Sequence, residues 1–227
     1  MKTSNILITI FIGCITIYFL AAFAEIRISG KLNSAGLDFE SHKVDVPHFR
    51  YVVARDVHFD LGFDQEAGIS ISSEAGKEVS RVNYHLNGDT LVIDGFEKIE
   101  KVKSSFKIIV QENSFRELKC VSCDISIKGG KSDSLTLTLD KSQVSKWDNQ
   151  EGQFGMLKIV GSGNTHVLLR SIHADNLDVL LDNCQVNIQG PVNLLTGSVM
   201  NNTHLEVDNV LNFRFQRDST SRLSHRW

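Results

Sequence analysis

The sequence predicts an all-β chain: a single-stranded right-handed β-helix, a solenoid with coils of about 19 residues, preceded by an N-terminal transmembrane helix. Three observations predict it. A small residue followed two places later by an aliphatic one recurs at Cys123, Ser142, Thr165, Cys184, Thr203 and Ser221, at intervals of 19, 23, 19, 19 and 18. Glycine is frequent, at 16 residues, proline is nearly absent, at 2, and long helical patterns are missing after residue 24. That composition suits many short strands. Third, residues 6–24 form a run of 19 apolar or uncharged residues.

That run follows a short flank, residues 1–5, and as a helix it reaches about 28 Å, close to the roughly 30 Å hydrocarbon core of a bilayer. It is longer than the roughly 7–15 residues of a secretory apolar region, so the expectation is an uncleaved membrane anchor. Ala22-Phe23-Ala24 before Glu25 leaves a cleaved signal as the alternative, and Gly13-Cys14 a lipidated cysteine. With Lys2 on one flank and Arg27 and Lys31 on the other, the expected address is the cell envelope. The β domain would lie outside the cytoplasm, in the periplasm or at the cell surface. Residues 25–45 mix charge with Gly and Ser without a sustained period and read as a stalk.

From residue 46 to 227 the pattern is strand after strand. "FRYVVA", "VHFDLGF" and "GISISS" are short β-branched or aromatic runs, and "RVNYHLNGDTLVID" is a hairpin turning at Asn87-Gly88. After "FKIIV" comes the repeat. Two residues beyond each small residue stand Ile125, Val144, Val167, Val186, Leu205 and Leu223. Equivalent positions at a regular period stack about 4.8 Å apart in neighbouring coils. Upstream runs such as "LTLTL" and "LDVLL" have the opposite parity from the small residues, so the chain must turn a corner at Asp140-Lys141 and Asp182-Asn183. Asn164, Asn183 and Asn202 share that corner, where left-handed backbone is tolerated and asparagines can bond coil to coil.

The repeat bears on the C-x-x-C of Cys120 and Cys123. Cys123 belongs to the small column and Cys120 to an inward column with Leu137, Ile159, Val179 and Phe215. Buried free thiols, a Cys120–Cys123 disulfide and half a metal site are the three readings. No second ligand pair stands at C-x-x-C or H-x-x-H spacing, and Cys184 is three coils from Cys123, about 14 Å at that pitch and beyond disulfide reach. No metal and no cofactor is expected.

Gln143, His166, Gln185, His204 and Arg222 each precede the aliphatic residue and face outward. A ladder of amide and imidazole groups at strand pitch can bind an extended glycan or peptide, but exposed polar alternation is the norm and the first reading is a solvated sheet face. Catalytic residues cannot be nominated. Asp140 and Asp182 are separated at their corner by Gly163, and Gly161-Ser162-Gly163 lacks both the helix of a phosphate loop and the elbow of a hydrolase. With 24 basic against 27 acidic residues and no basic run, nucleic acid is not an expected partner.

The strand opening "HFRYVVARDVHFDLGF", the hairpin end "NGDTLVID", "FKIIV" before "ELKCVSCDISI", and coils punctuated by small residues resemble the family named putative auto-transporter adhesin, head GIN domain. The resemblance implies a secreted or envelope-attached β-helical protein, adhesin-like in shape, and brings no catalytic residues. The expected function is thus a non-catalytic, adhesin-like binding module for a glycan or protein ligand. A structural protein self-associating through its coil ends and a carbohydrate-active β-helix enzyme are the alternatives.

Overall fold

In the computed structural model the chain divides into two compact units, Met1–Asp38 and Phe39–Trp227. The structure describes residues 11–13, 15, 16, 18, 39–75, 79–97, 104–148 and 150–226. In the first unit the described residues are helical, with Phe11, Ile12, Ile15 and Tyr18 exposed. The Thr16 hydroxyl donates to the Ile12 carbonyl at 2.9 Å. No helix among the described residues is long and apolar enough to cross a membrane. The rest of the span expected over 6–24, with Cys14 and the A-x-A site, lies outside the described residues, as does 25–38 of the expected stalk.

The second unit is all β. Chain order among the described residues is β1 (Phe39–Val44), β2 (Tyr51–Arg55), β3 (His58–Asp64), β4 (Gly68–Glu74), β5 (Arg81–Asn87), β6 (Thr90–Glu97) and β7 (Ser104–Gln111). The regular coils follow as β8 (Glu117–Val121), β9 (Asp124–Lys128), β10 (Lys131–Asp140), β11 (Gln143–Lys146), β12 (Gly152–Ser162) and β13 (Thr165–Arg170). They continue with β14 (Ile172–Asp182), β15 (Cys184–Gln189), β16 (Val192–Met200), β17 (His204–Asp208), β18 (Val210–Arg217) and β19 (Arg222–Arg226). From β8 onward each coil gives one strand to a sheet in the order β8-β10-β12-β14-β16-β18 and the next to a sheet in the order β9-β11-β13-β15-β17-β19. All these pairs are parallel, giving a β-solenoid of about five turns.

The N-terminal part departs from simple succession. Strands β2 and β3 lie between the later pair β6, β7 on one side and β8, β9 on the other. The chain leaves β3 through antiparallel β4, turns the β5–β6 hairpin, lays down β6 and β7, and then crosses back over the β2–β3 coil. Buried Phe115 fixes that crossing: its ring meets Phe63 edge-on at 6.2 Å, and its neighbour Arg116 donates its backbone N–H to the Arg50 carbonyl at 2.9 Å. Strand β1, inside the segment expected as stalk, pairs antiparallel with β4.

The core lies between the two sheets. Phe59 and Phe106 stack at 5.6 Å in the early coils, and aliphatic columns fill the later ones. Leu118, Leu137, Ile159 and Val179 form one column, and Cys120, Leu139, Gly161 and Leu181 the next. The sequence expectation for Cys120 is therefore two residues out of register. Its inward parity is unchanged, because a shift of two preserves the face.

Corners are made by left-handed residues. Asp56, Ser122, Lys141, Asn164, Asn183 and Asn202 all have φ between 50 and 71°. Such a residue switches the inward parity between a strand of one sheet and the next strand of the other, as the sequence required at Lys141 and Asn183. The coils are joined at these corners by backbone: the Asn164 N–H donates to the Asn183 carbonyl at 2.8 Å.

Candidate functional site

Just past each left-handed corner comes the small column, and Cys123, Ser142, Thr165, Cys184, Thr203 and Ser221 are all buried. Within it the hydroxyls of Ser142, Thr165 and Thr203 do two jobs. Each donates back to its own corner, to the carbonyls of Asp140, Ser162 and Met200 at 2.8, 2.6 and 2.6 Å. The same oxygens accept N–H groups from the preceding coil, Cys123 to Ser142 at 3.1 Å, Ser142 to Thr165 at 3.3 Å and Cys184 to Thr203 at 3.2 Å. Cysteine fills this role with sulfur, the Cys123 and Cys184 thiols donating to the carbonyls of Val121 at 3.4 Å and Asp182 at 3.3 Å. All three cysteines of the second unit are free and buried. Within the C-x-x-C, the hydrogen bond from the Cys120 thiol draws Cys123 down to about 7, while that bond and burial hold Cys120 well above the thiol range.

These roles make the two cysteines unequal. Cys123→Ser is expected to change stability by less than about 1 kcal/mol, because a hydroxyl has the same carbonyl to donate to. Cys120→Ser is expected to cost about 1–3 kcal/mol, since it puts a hydroxyl into a column of Leu139 and Leu181. Thermal melts of both variants check the difference; an equal loss would contradict the assigned columns.

One position further on, the side chains point out. Gln143, His166, Gln185, His204 and Arg222 are consecutive rungs in register. Four are exposed and His204 is half-buried. The column is longer than the sequence reading made it: Asp124 pairs with Gln143, and His58 with Asp124. The His58 imidazole lies 3.0 Å from the Asp124 carboxylate. Asp124 stands between Cys123 and Ile125 within the repeat and was passed over, whereas His58 follows Val57 in place of a small residue. An open groove of about 870 Å³ runs along these rungs, lined by His58, Asp124, Gln143, His166, Gln185 and the corner residue Asn164. His204 and Arg222 continue the column beyond the lining.

The groove is polar and offers donors and acceptors at strand pitch. Among the described residues no group of three His, Cys, Asp or Glu side chains is placed to hold a metal ion. The corner carboxylates are engaged elsewhere. Asp140 pairs in register with Ser162, not Gly163, and accepts its hydroxyl at 2.9 Å. Asp182 accepts the Asn201 amide at 2.7 Å.

The last corner carries a pH-sensitive clamp. The Asp218 carboxylate accepts backbone N–H groups from Asn201 at 2.8 Å, Thr220 at 3.1 Å and Ser221 at 2.9 Å. Led by the Asn201 bond, these draw it from an ordinary 3.8 to about 2. A carboxylate lowered on folding stabilises fully above its unfolded value and loses that contribution as pH falls through the folded one. The protection of β19 amides from hydrogen exchange, relative to their intrinsic rates, is therefore expected to fall between about pH 4 and 2, and Asp218→Asn to remove that step. A step of the same size in the variant would contradict the clamp.

These features define a class, a two-sheet β-solenoid with left-handed corners and a polar outer groove. Among known structures, a putative adhesin from Parabacteroides distasonis aligns with a TM-score of 0.56 at 14% identity, over 84% of this chain and 97% of that one. A putative lipid binding protein from the same species aligns at 0.48 with 13% identity, over 83% and 96%. A putative adhesin from Bacteroides fragilis aligns at 0.47 with 13% identity, over 84% and 97%. At such identity the first likeness shows the fold alone. No protein-family model and no curated protein matches the chain.

Proposed function

We propose that the chain is a non-catalytic, adhesin-like binding module of the cell envelope, a right-handed β-helix akin to the head GIN domain family, whose ligand lies along the groove from His58 to Gln185. The observation that carries this reading is the in-register run of His58, Asp124, Gln143, His166 and Gln185 beside that groove. Rungs about 4.8 Å apart make a regular ladder of polar groups, and the polar lining suits the hydroxyl and amide groups of a glycan or a peptide backbone. The names of the structures sharing the fold, adhesin and lipid binding protein, agree with a binding role.

A glycan and peptide array probed with the full chain tests the proposal. One ligand class is expected to bind, and His166→Ala with Gln185→Ala to weaken it about tenfold with the melting temperature unchanged, as for the loss of two solvent-screened hydrogen bonds. Binding that survives those changes, or no binding across both arrays, would refute it.

The address is proposed on the run over 6–24. Exposed Phe11, Ile12, Ile15 and Tyr18 suit a lipid-facing helix. The Thr16 hydroxyl is satisfied by the Ile12 carbonyl, the arrangement a polar side chain needs in hydrocarbon. Carbonate-washed membranes should retain the chain; a soluble form beginning at Glu25 would replace the anchor with a cleaved signal.

A further inference from the structure

The two ends of the solenoid differ. At the N-terminal end the stack finishes in antiparallel strands, β1 on β4 and β5 on β6. At the other end the last coil is β18 and β19, and among the described residues no strand hydrogen-bonds to the outer edge of either. Strand β18, "VLNFRFQR", is eight residues long. A long edge strand presents a row of backbone donors and acceptors to any extended chain.

The side chains on that coil specify what kind of chain. Phe213 continues the inward column of Leu177 and Leu195, yet is 58% exposed, and Leu211 is 72% exposed. Phe215 and Leu223, also on inward columns, are half-buried. The core therefore finishes in an apolar rim. Around it stand Arg214, Arg217 and Arg222, all exposed and in no ion pair among the described residues. Arg217 occupies the inward register of Val199, so a cation sits where every lower coil from β10 upward has Leu139, Gly161, Leu181 or Val199. The coil's own Asp218 is taken up by the clamp on Asn201, Thr220 and Ser221.

We propose that this end is a docking site for an extended acidic peptide that adds as a strand to β18, apolar side chains over Phe213 and Phe215 and carboxylates against Arg214 and Arg217. Charge complementarity selects that occupant over a second copy of the chain. Two such edges brought together would set arginines against arginines, and like charges placed opposite one another across strands oppose pairing. The site is independent of the groove.

The test uses the full chain in uncharged detergent micelles, with fluorescence anisotropy of an eight-residue Glu/Val peptide, matched to β18 with Val at the registers of Phe213 and Phe215 and Glu at those of Arg214 and Arg217, against its Lys/Val counterpart. Only the Glu/Val peptide is expected to bind, more weakly as salt rises above about 0.1 M, where the screening length is about 10 Å. Arg214→Glu with Arg217→Glu should weaken it by about tenfold or more, and Arg214→Gln alone by less, both with unchanged melting because these side chains are exposed. Equal binding of the two peptides, or no effect of charge reversal, would overturn the proposal. So would a sedimentation mass of two copies that excess Glu/Val peptide fails to dissociate, which would assign the edge to self-association.

Discussion

Gly197→Ala is expected to cost about 2–6 kcal/mol, the sum of about 1–3 for backbone strain and about 1–3 for overpacking. Gly197 has φ of 121°, and a β-carbon there would lie 1.8 Å from the Val179 carbonyl oxygen and 2.8 Å from its backbone nitrogen. Val179 is its register partner on β14. The obstacle is thus backbone of the coil beneath, held on both sides by the ladder, and it cannot move without opening the sheet. Gly161→Ala is the control. Its new methyl would meet only side chains, the Cys184 sulfur at 3.0 Å and Leu181 at 3.1 Å, which can shift, so about 1 kcal/mol is expected. Denaturant melts of the two variants decide the point: equal losses would contradict the β14–β16 register.

How legible these positions were in the sequence depends on whether their signal was local. The small column could be read because Ser142, Thr165 and Thr203 share two duties, donating to their corners and accepting from the coil before, and Cys123 and Cys184 repeat the donation with little volume. The corners could be read because parity has to switch between a strand such as Leu135–Leu139 and the Ser142–Val144 pair. The partnering of Cys120 could not. "LTLTL" looks the same after a shift of two residues, so Leu137 and Leu139 were equivalent candidates, and only the hydrogen-bonded ladder chooses Leu139.

The order of the early coils was illegible for a different reason. Nothing in "FRYVVA" or "FKIIV" states which strand lies beside it, and insertion of β2 and β3 between later neighbours follows from the Phe115 crossing. For the groove, the sequence supplied Gln143, His166 and Gln185 but not its lower wall. His58 belongs to the coil before the regular repeat and has no period to announce it.

A lysine also breaks the pattern, and it explains the long coil. Lys146 shares its rung with Leu169, which stacks in turn on Ile188, so parity turns it inward, and its side chain is 0% exposed. Its ammonium is met by the Asp148 carboxylate and the Gln150 carbonyl. The other Asp148 oxygen accepts the Gly129 N–H of the preceding coil at 2.6 Å. The extra residues of the 23-residue interval are thereby tied down around a buried charge, with Trp147 left outside beneath Arg170, whose guanidinium lies 4.2 Å from the ring centre.

Removing one partner of such a pair leaves an uncompensated charge whichever side chain replaces it, so Lys146→Ala is expected to cost about 3–5 kcal/mol and Lys146→Met to cost less only by the packing it keeps, whereas Lys146→Met with Asp148→Asn, which removes both charges, should cost far less. Ala against Met isolates packing, and Met against the double variant isolates charge. If the pair instead fastens the loop without stabilising the coil, Lys146→Met should leave the melt nearly unchanged while proteolysis at 147–151 quickens. Equal destabilisation by all three variants would mean that the ion pair itself, and neither lost packing nor the stranded Asp148, governs stability here.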